Sequence, residues 1–285
     1  MRLVHLAGPE GPEPALIRKN GVVSLRPTLP AAVSTLDDAI TLGAETLHAA
    51  AAELDGADAT PLADVTLAAP LLRPSKVLCI GMNYRDHADE QGVELPSSPL
   101  LFAKLPSALT GPDSTVSWSS ELTSQVDWEA ELAVVVGRPL REVSPGAALE
   151  GVFGYTAAND LSARDIQFAD GQWVRGKSLD GFLPLGPALV TADSYDPSAK
   201  AIRSRVNGKL MQNSNTDQLI FGVGEILSFL SRAFTLLPGD VVLTGTPAGV
   251  GAFREPPIFL GNGDVVEIEI EGLGTLRNLM REVRG

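Results

Sequence analysis

The chain has 285 residues, 44% of them hydrophobic and 20% charged, with a formal net charge of −13 and a single cysteine. This is globular composition on a length that allows one large domain or a small and a medium one, and the negative balance argues against nucleic acid or an anionic membrane as a main partner. One cysteine cannot form an internal disulfide, which fits a reducing, cytoplasmic setting, and neither a signal-peptide core nor an apolar run of the ~18 residues needed to span a bilayer is present.

Along the chain, Leu3 to Leu6 opens a strand, and Ala15 to Leu25 reads as a hairpin with Asn20-Gly21 as the turn pair that tolerates positive φ. Ser34 to Leu54 is rich in Ala and Leu at helical spacing and is interrupted at Gly43, which predicts two short helices. Residues 1–70 are therefore expected to form a small N-terminal α/β domain, with 71–285 as the catalytic domain. From about Val65 onward β-branched or alternating runs predominate: Val77 to Ile80, Glu131 to Val136, Val152 to Ala157, Pro187 to Thr191, Ala201 to Val206, Val241 to Thr244 and Val265 to Ile270. Cys79 lies in the first of these and reads as a small buried hydrophobe. Val223 to Ala233 is the one clear amphipathic helix, with Ile226, Leu227, Phe229 and Leu230 directed at a core. The pattern is α+β and mostly β, without a regular βαβ alternation.

Five segments carry groups capable of chemistry. Gly81 to Glu90 follows a strand; if helical, it brings His87 and Glu90 together at i and i+3, and a carboxylate holding an imidazole makes a general base near neutral pH. Gly81 and Gly92 bracket it as a mobile lid would require. In Asp127-Trp128-Glu129-Ala130-Glu131-Leu132, strand alternation puts the three carboxylates on one face. Such a face is either a solvated acidic stripe or a buried set with a cation between its members, and an all-oxygen set suits Mg²⁺, Mn²⁺ or Ca²⁺.

Asp160 sits at the exit of the run from Val152. A helical turn begun there projects Arg164 and Gln167 to the same side, while the alternative is an N-capping Asp160 before a solvated turn. Lys177, between Gly176 and Gly181, is either a surface lysine or one that approaches a ligand closely. Thr244 to Gly251 is either a plain turn or a loop offering N–H groups and hydroxyls to an anion.

Together these residues resemble the fumarylacetoacetate hydrolase family. The matching stretches are Gly81 to Glu90, Phe102-Ala103-Lys104 with Ser107-Ala108 and Gly111-Pro112, Asp127 to Gly137, Gly154 to Gln167, Lys177 to Pro187, Asn207-Gly208 and Pro238 to Gly251, covering most of residues 75 to 275.

The resemblance implies a β-sandwich roll as the catalytic fold and a homodimer. It implies Glu129, Glu131 and Asp160 as ligands of Mg²⁺ or Mn²⁺, for which Ca²⁺ can substitute structurally, and His87 with Glu90 as a lid dyad that activates water. It further implies Lys177 as an active-site lysine, Arg164 and Gln167 as substrate-contacting and oxyanion-stabilising groups, and Thr246 as a substrate-side threonine. Asp127 is not one of the family's three regular ligands. Trp128 stands where tyrosine is frequent and Gly181 where threonine is frequent, departures that bear on selectivity.

The expected activity is hydrolysis of a C–C bond in an acylpyruvate-type 2,4-dioxo acid, leaving a pyruvate enolate on the metal. The alternatives are decarboxylation of oxaloacetate, isomerisation of a 2-hydroxy-diene-dioate of aromatic catabolism on the same site, or a metal-stabilised binding module without turnover. The expected partner in each enzymatic case is a small anionic 2-oxo acid.

Overall fold

The structure, a computed structural model, describes residues 1–284. Eleven strands form one large sheet. Its order runs Gly21–Ser24, Glu13–Arg18, Arg2–Leu6, Leu183–Thr191, Val152–Asn159, Ala130–Val136, Val241–Leu243, Val77–Gly81 and Leu100–Lys104, with Leu67–Ala68 and Leu109–Thr110 attached beside this path. A five-stranded sheet runs Lys209–Asn215, Ala201–Val206, Val265–Ile270, Gly274–Val283 and Thr115–Ser119. The expected α+β, mostly β class is what is found.

Ala130–Val136 explains why the large sheet is buried on both faces. Every residue of that strand is buried. Strand alternation sends Leu132, Val134 and Val136 into one core, beside Ile226, Leu227 and Leu230, and Ala133 and Val135 into another. That second core also holds Leu3, Leu16, Leu36 and Leu47 with Val77 and Cys79. Residues 1–70 thus join the remainder through a continuous sheet, Arg2↔Val190 and Leu3↔Leu189, and through shared apolar contacts.

The two predicted short helices are Leu36–Ile40 and Ala44–Ala52, with Gly43 between them. Strand pairing in the N-terminal hairpin is Arg18↔Gly21, so the turn is centred on Lys19-Asn20, one residue earlier than predicted. Gly21 serves a different purpose from the expected one. A Cβ there would lie 2.2 Å from the Thr60 carbonyl oxygen, which bridges to the neighbouring Val22, and the backbone holds φ at +145°.

The amphipathic helix spans Val223–Ala233 as predicted, and Glu225 accepts the Gly222 N–H at 2.8 Å to cap it. Ile226, Leu227 and Leu230 are buried, whereas Phe229 is exposed, because the apolar stripe is one residue narrower than its composition suggests. Among the described residues no helix is long and apolar enough to cross a membrane.

Candidate active site

Glu129, Glu131 and Asp160 converge because of one register. Ala130 faces Asn159 across the antiparallel pair, which leaves Glu129 and Asp160 side by side at the strand ends and Glu131 one residue further along. The Asp160 N–H donates to the Glu129 carbonyl at 2.9 Å, and the Glu129 N–H donates to Asn159 Oδ1 at 3.0 Å. Regular pairing pauses at Trp128-Glu129, between Val126–Asp127 and Ala130–Val136, so the acidic segment is two strand pieces rather than the single strand predicted. All three carboxylates are buried, and each offers an oxygen within 4.8 Å of the others. A solvated acidic stripe is thereby excluded.

The charge around them is nearly balanced. Arg164 Nε donates to Asp127 Oδ2 at 2.9 Å, Nη2 lies 2.8 Å from the same oxygen at an angle too acute for a second hydrogen bond, and Nη1 reaches Glu129 Oε1 at 2.8 Å. Lys177 Nζ bridges Glu129 Oε2 at 2.7 Å and Asp160 Oδ2 at 3.0 Å. Lys104, fully buried, reaches the other Asp160 oxygen. Burial alone would raise the Glu129 carboxyl, but Lys177 and Arg164 outweigh it and hold the group at about 2. Burial likewise opposes the charge on Lys177, yet Asp160 and Glu129 keep its pKa above the ordinary lysine value, so it stands as a fixed cation.

Glu131 is the exception. Among the described residues its carboxylate has no cationic side-chain partner, and it accepts the Gly245 N–H. Burial, with Asp160 and Glu129 nearby, pushes its carboxyl well above the usual range. Four buried carboxylates thus face three buried cations, and the unmatched charge falls on a residue whose oxygen converges with those of Glu129 and Asp160. That is the donor set a hard divalent ion fits.

His87 and Glu90 lie on the helix Arg85–Gln91, and His87 Nδ1 is 2.9 Å from Glu90 Oε2. The helix is docked by its acids: Glu90 Oε1 accepts the Gly249 N–H at 2.9 Å, and Asp86 accepts the Ser214 hydroxyl. One cavity of about 170 Å³ is lined by His87, Glu129, Glu131, Arg164, Gln167, Lys177 and Thr246. Asp160 lies fully buried, bonded to Lys177 and Lys104, and Glu90 braces His87. The expected site residues are thus brought together around one cavity.

Three local expectations are corrected. The helix carrying Arg164 and Gln167 starts at Arg164, not at Asp160, because Ser162–Ala163 stays extended to pair with Val126–Asp127. Arg164 Nη1 then donates to Gln167 Oε1 at 3.0 Å across one turn. Neither a capping Asp160 nor a solvated arginine is found, since both are buried. The loop after Val241–Leu243 gives its amides to the protein's own carboxylates: Gly245 to Glu131, Gly249 to Glu90, and Gly251 and Ala252 to Asp127. The Thr246 hydroxyl donates to the Ala130 carbonyl at 3.0 Å.

Two residues gain importance that the sequence reading did not assign. Asp127 anchors Arg164 and two loop amides. Lys104 ends the strand Leu100–Lys104 beneath Asp160, and the signal was a lysine closing an apolar strand.

The family described as fumarylacetoacetate (FAA) hydrolase, C-terminal, matches residues 76–281, well over half of the chain. The chain belongs to the fumarylacetoacetate hydrolase family. Among relatives within and beyond that name, the mitochondrial oxaloacetate tautomerase FAHD2B of Bos taurus is 45% identical over 98% of this chain and 91% of its own length. The corresponding tautomerase FAHD2A of Homo sapiens is 44% identical over the same shares.

Solved structures of fumarylacetoacetate hydrolase relatives superpose over essentially the whole chain. The fumarylacetoacetate hydrolase of Exiguobacterium antarcticum is 37% identical with a TM-score of 0.87, covering 99% of this chain and 100% of its own. The 5-carboxymethyl-2-hydroxymuconate delta-isomerase of Mycobacterium smegmatis is 40% identical with a TM-score of 0.78, covering 100% and 99%.

Proposed function

We propose that the protein is a divalent-metal-dependent enzyme that interconverts the keto and enol forms of small 2-oxo acids, the reaction type for which its tautomerase relatives are named. The observation that carries this reading is Glu131, a buried carboxylate left without a cation among two others whose oxygens converge with its own. In this reading Glu129, Glu131 and Asp160 hold Mg²⁺ or Mn²⁺. When bound, the ion supplies a Lewis acid for the 1-carboxylate and 2-oxo oxygens of the substrate.

The side chains then divide the remaining tasks. Glu90 accepts the Nδ1–H of His87, which leaves the Nε2 lone pair at the cavity; it accepts the Gln91 amide N–H at 2.9 Å, a bond that opens for Nε2 to act as base. Nε2 takes a proton from C3, and the proton is returned to the C2 oxygen, so one C–H bond breaks and one O–H bond forms. Lys177 and Arg164 stay charged and oppose the negative charge that builds up on the substrate. Gln167 spends its Oε1 on Arg164, which frees its amide NH₂ for the substrate.

A second reading is supported by the same dyad. If His87 takes its proton from a water instead, the water attacks a distal carbonyl and a 2,4-dioxo acid is cleaved. With Mg²⁺ or Mn²⁺, the test follows ketonisation of enol-oxaloacetate, CO₂ release from oxaloacetate and cleavage of acetylpyruvate, in wild type and in Glu131→Gln. The expected result is metal-dependent ketonisation that the substitution reduces by on the order of 10³-fold. Ketonisation no faster than the uncatalysed rate would sink the first reading, and cleavage of acetylpyruvate in its place would establish the second.

A further inference from the structure

Away from the carboxylates, the cavity changes character. Met82, Leu100, Phe102, Phe168, Trp173 and Phe253 come from five separate segments and form its outer wall. Phe102 and Trp173 meet edge to face with ring centroids 5.2 Å apart, and Phe253 meets the His87 ring in the same way at 5.7 Å. Phe168 is 59% exposed. It lies on the helix Arg164–Asp170, where Arg164, Gln167 and Phe168 stand at i, i+3 and i+4 and therefore share a face. An exposed phenylalanine on the face that carries two site residues is placed for a ligand rather than for the core.

The positive charge in the cavity is already paired with carboxylates, although Lys177 Nζ also lies 5.2 Å from the centre of the Phe102 ring. Among the described residues that line it, only Arg164 and Lys177 are lysine or arginine. Arg164 lies between Asp127 and Glu129, and Lys177 between Glu129 and Asp160. A second carboxylate on the substrate, pointing at this wall, would meet apolar side chains and no uncommitted lysine or arginine, so it would give up hydration without an ion pair in return. An aromatic ring would meet offset and edge-on partners on several sides.

We infer that the cavity selects 2-oxo acids whose C3 carries an aromatic ring, an arylpyruvate class, over those whose C3 carries a second carboxylate. The inference rests on the 2-oxo acid reading above for the orientation of the ligand. The reaction it implies is the same proton transfer from C3 to the C2 oxygen, with no further reactant.

The test uses the full chain with Mn²⁺ and reads binding separately from turnover. Isothermal titration with 3-phenylpyruvate and with oxaloacetate is expected to give phenylpyruvate at least a tenfold lower Kd. Phe168→Arg, at an exposed position that folding does not depend on, should erase that preference by at least tenfold, and Trp173→Leu should weaken phenylpyruvate alone. Equal or tighter binding of oxaloacetate by wild type overturns the inference, as does a preference untouched by both substitutions. If phenylpyruvate binds preferentially but neither acid is ketonised faster than in buffer, the ligand class stands and the tautomerase reading falls. If oxaloacetate alone is ketonised and bound, the reverse holds.

Discussion

Lys104 lies beneath Asp160, its ammonium 2.5 Å from Oδ1 and 3.1 Å from the Leu161 carbonyl oxygen, with no exposure to solvent. A lysine buried this deeply is held charged by its partner against the cost of burial, which lowers its pKa. Its contact fixes one Asp160 oxygen, while Lys177 fixes the other.

Lys104→Met should therefore destabilise the protein by about 3 kcal/mol, the lower end for breaking a buried pair, because Lys177 still faces Asp160. The double variant Lys104→Met with Asp160→Asn leaves no uncompensated charge at that contact and should regain much of the loss. Denaturant unfolding in a chelator checks this. Additive losses in the double variant would show that the two groups are not coupled.

Metal binding should depend on pH through Glu131. Burial and the neighbouring carboxylates raise its pKa, so without metal the folded protein holds a proton there that the unfolded chain releases above about 4.5. That contribution favours folding at low pH and is lost as pH rises. A cation needs the carboxylate ionised, so its stabilising effect grows in the same direction. The rise in Tm on adding Mg²⁺ or Mn²⁺ should be larger at pH 8 than at pH 6, and Glu131→Gln should remove most of that difference. Equal rises at both values in wild type would contradict the assignment.

His5 predicts an effect of opposite sign, far from the cavity. Its Nε2 accepts the Leu36 N–H at 2.7 Å and its Nδ1 donates to the Ala69 carbonyl at 2.8 Å, so the ring joins strand, helix and connecting segment in the neutral form. Burial holds its pKa below the ordinary 6.5. The unfolded chain takes a proton below that value which the folded chain refuses, so stability falls as pH drops through 6.5 towards the folded pKa, by at most about 1.4 kcal/mol per pH unit. Urea midpoints at pH 7.5 and 5.5 should differ more for wild type than for His5→Gln, which keeps a donor and an acceptor without titrating.

How much of this was legible in the sequence depends on whether one strand or two encodes a feature. Residues 131–136 announce a buried strand by themselves, and Asp127, Glu129 and Glu131 announce a shared face by alternation. The pause at Trp128-Glu129 was not legible, because there the two N–H groups go to the Asp127 and Asn159 side chains rather than to a neighbouring strand. Gly274–Val283 was missed for a similar reason. Its burial follows from pairing with Val265–Ile270 on one side and, in parallel, Thr115–Ser119 on the other, and local composition records neither partner. The role of Lys104 was not legible, since a lysine's burial is decided by the carboxylate it meets 56 residues later.

Gly245 joins backbone geometry to the candidate metal centre. Its φ is +103°, a conformation other residues adopt only under strain, and a Cβ there would sit 2.8 Å from Asn83 Cβ and 3.1 Å from the Ile80 carbonyl oxygen. Asn83 cannot swing away. Its amide donates to the Thr244 and Phe221 carbonyls at 2.8 and 3.0 Å, and its Oδ1 accepts the Phe221 N–H at 2.8 Å. In Gly245→Ala the loop must therefore move, and it carries the N–H that Glu131 accepts. The substitution should cost about 1–3 kcal/mol of stability from strain. It should also reduce the Tm rise on adding Mg²⁺ or Mn²⁺, because Glu131 loses the donor that orients it. An unchanged metal-induced rise beside a lowered Tm would separate the strain from the site and show that Glu131 is oriented by its strand alone.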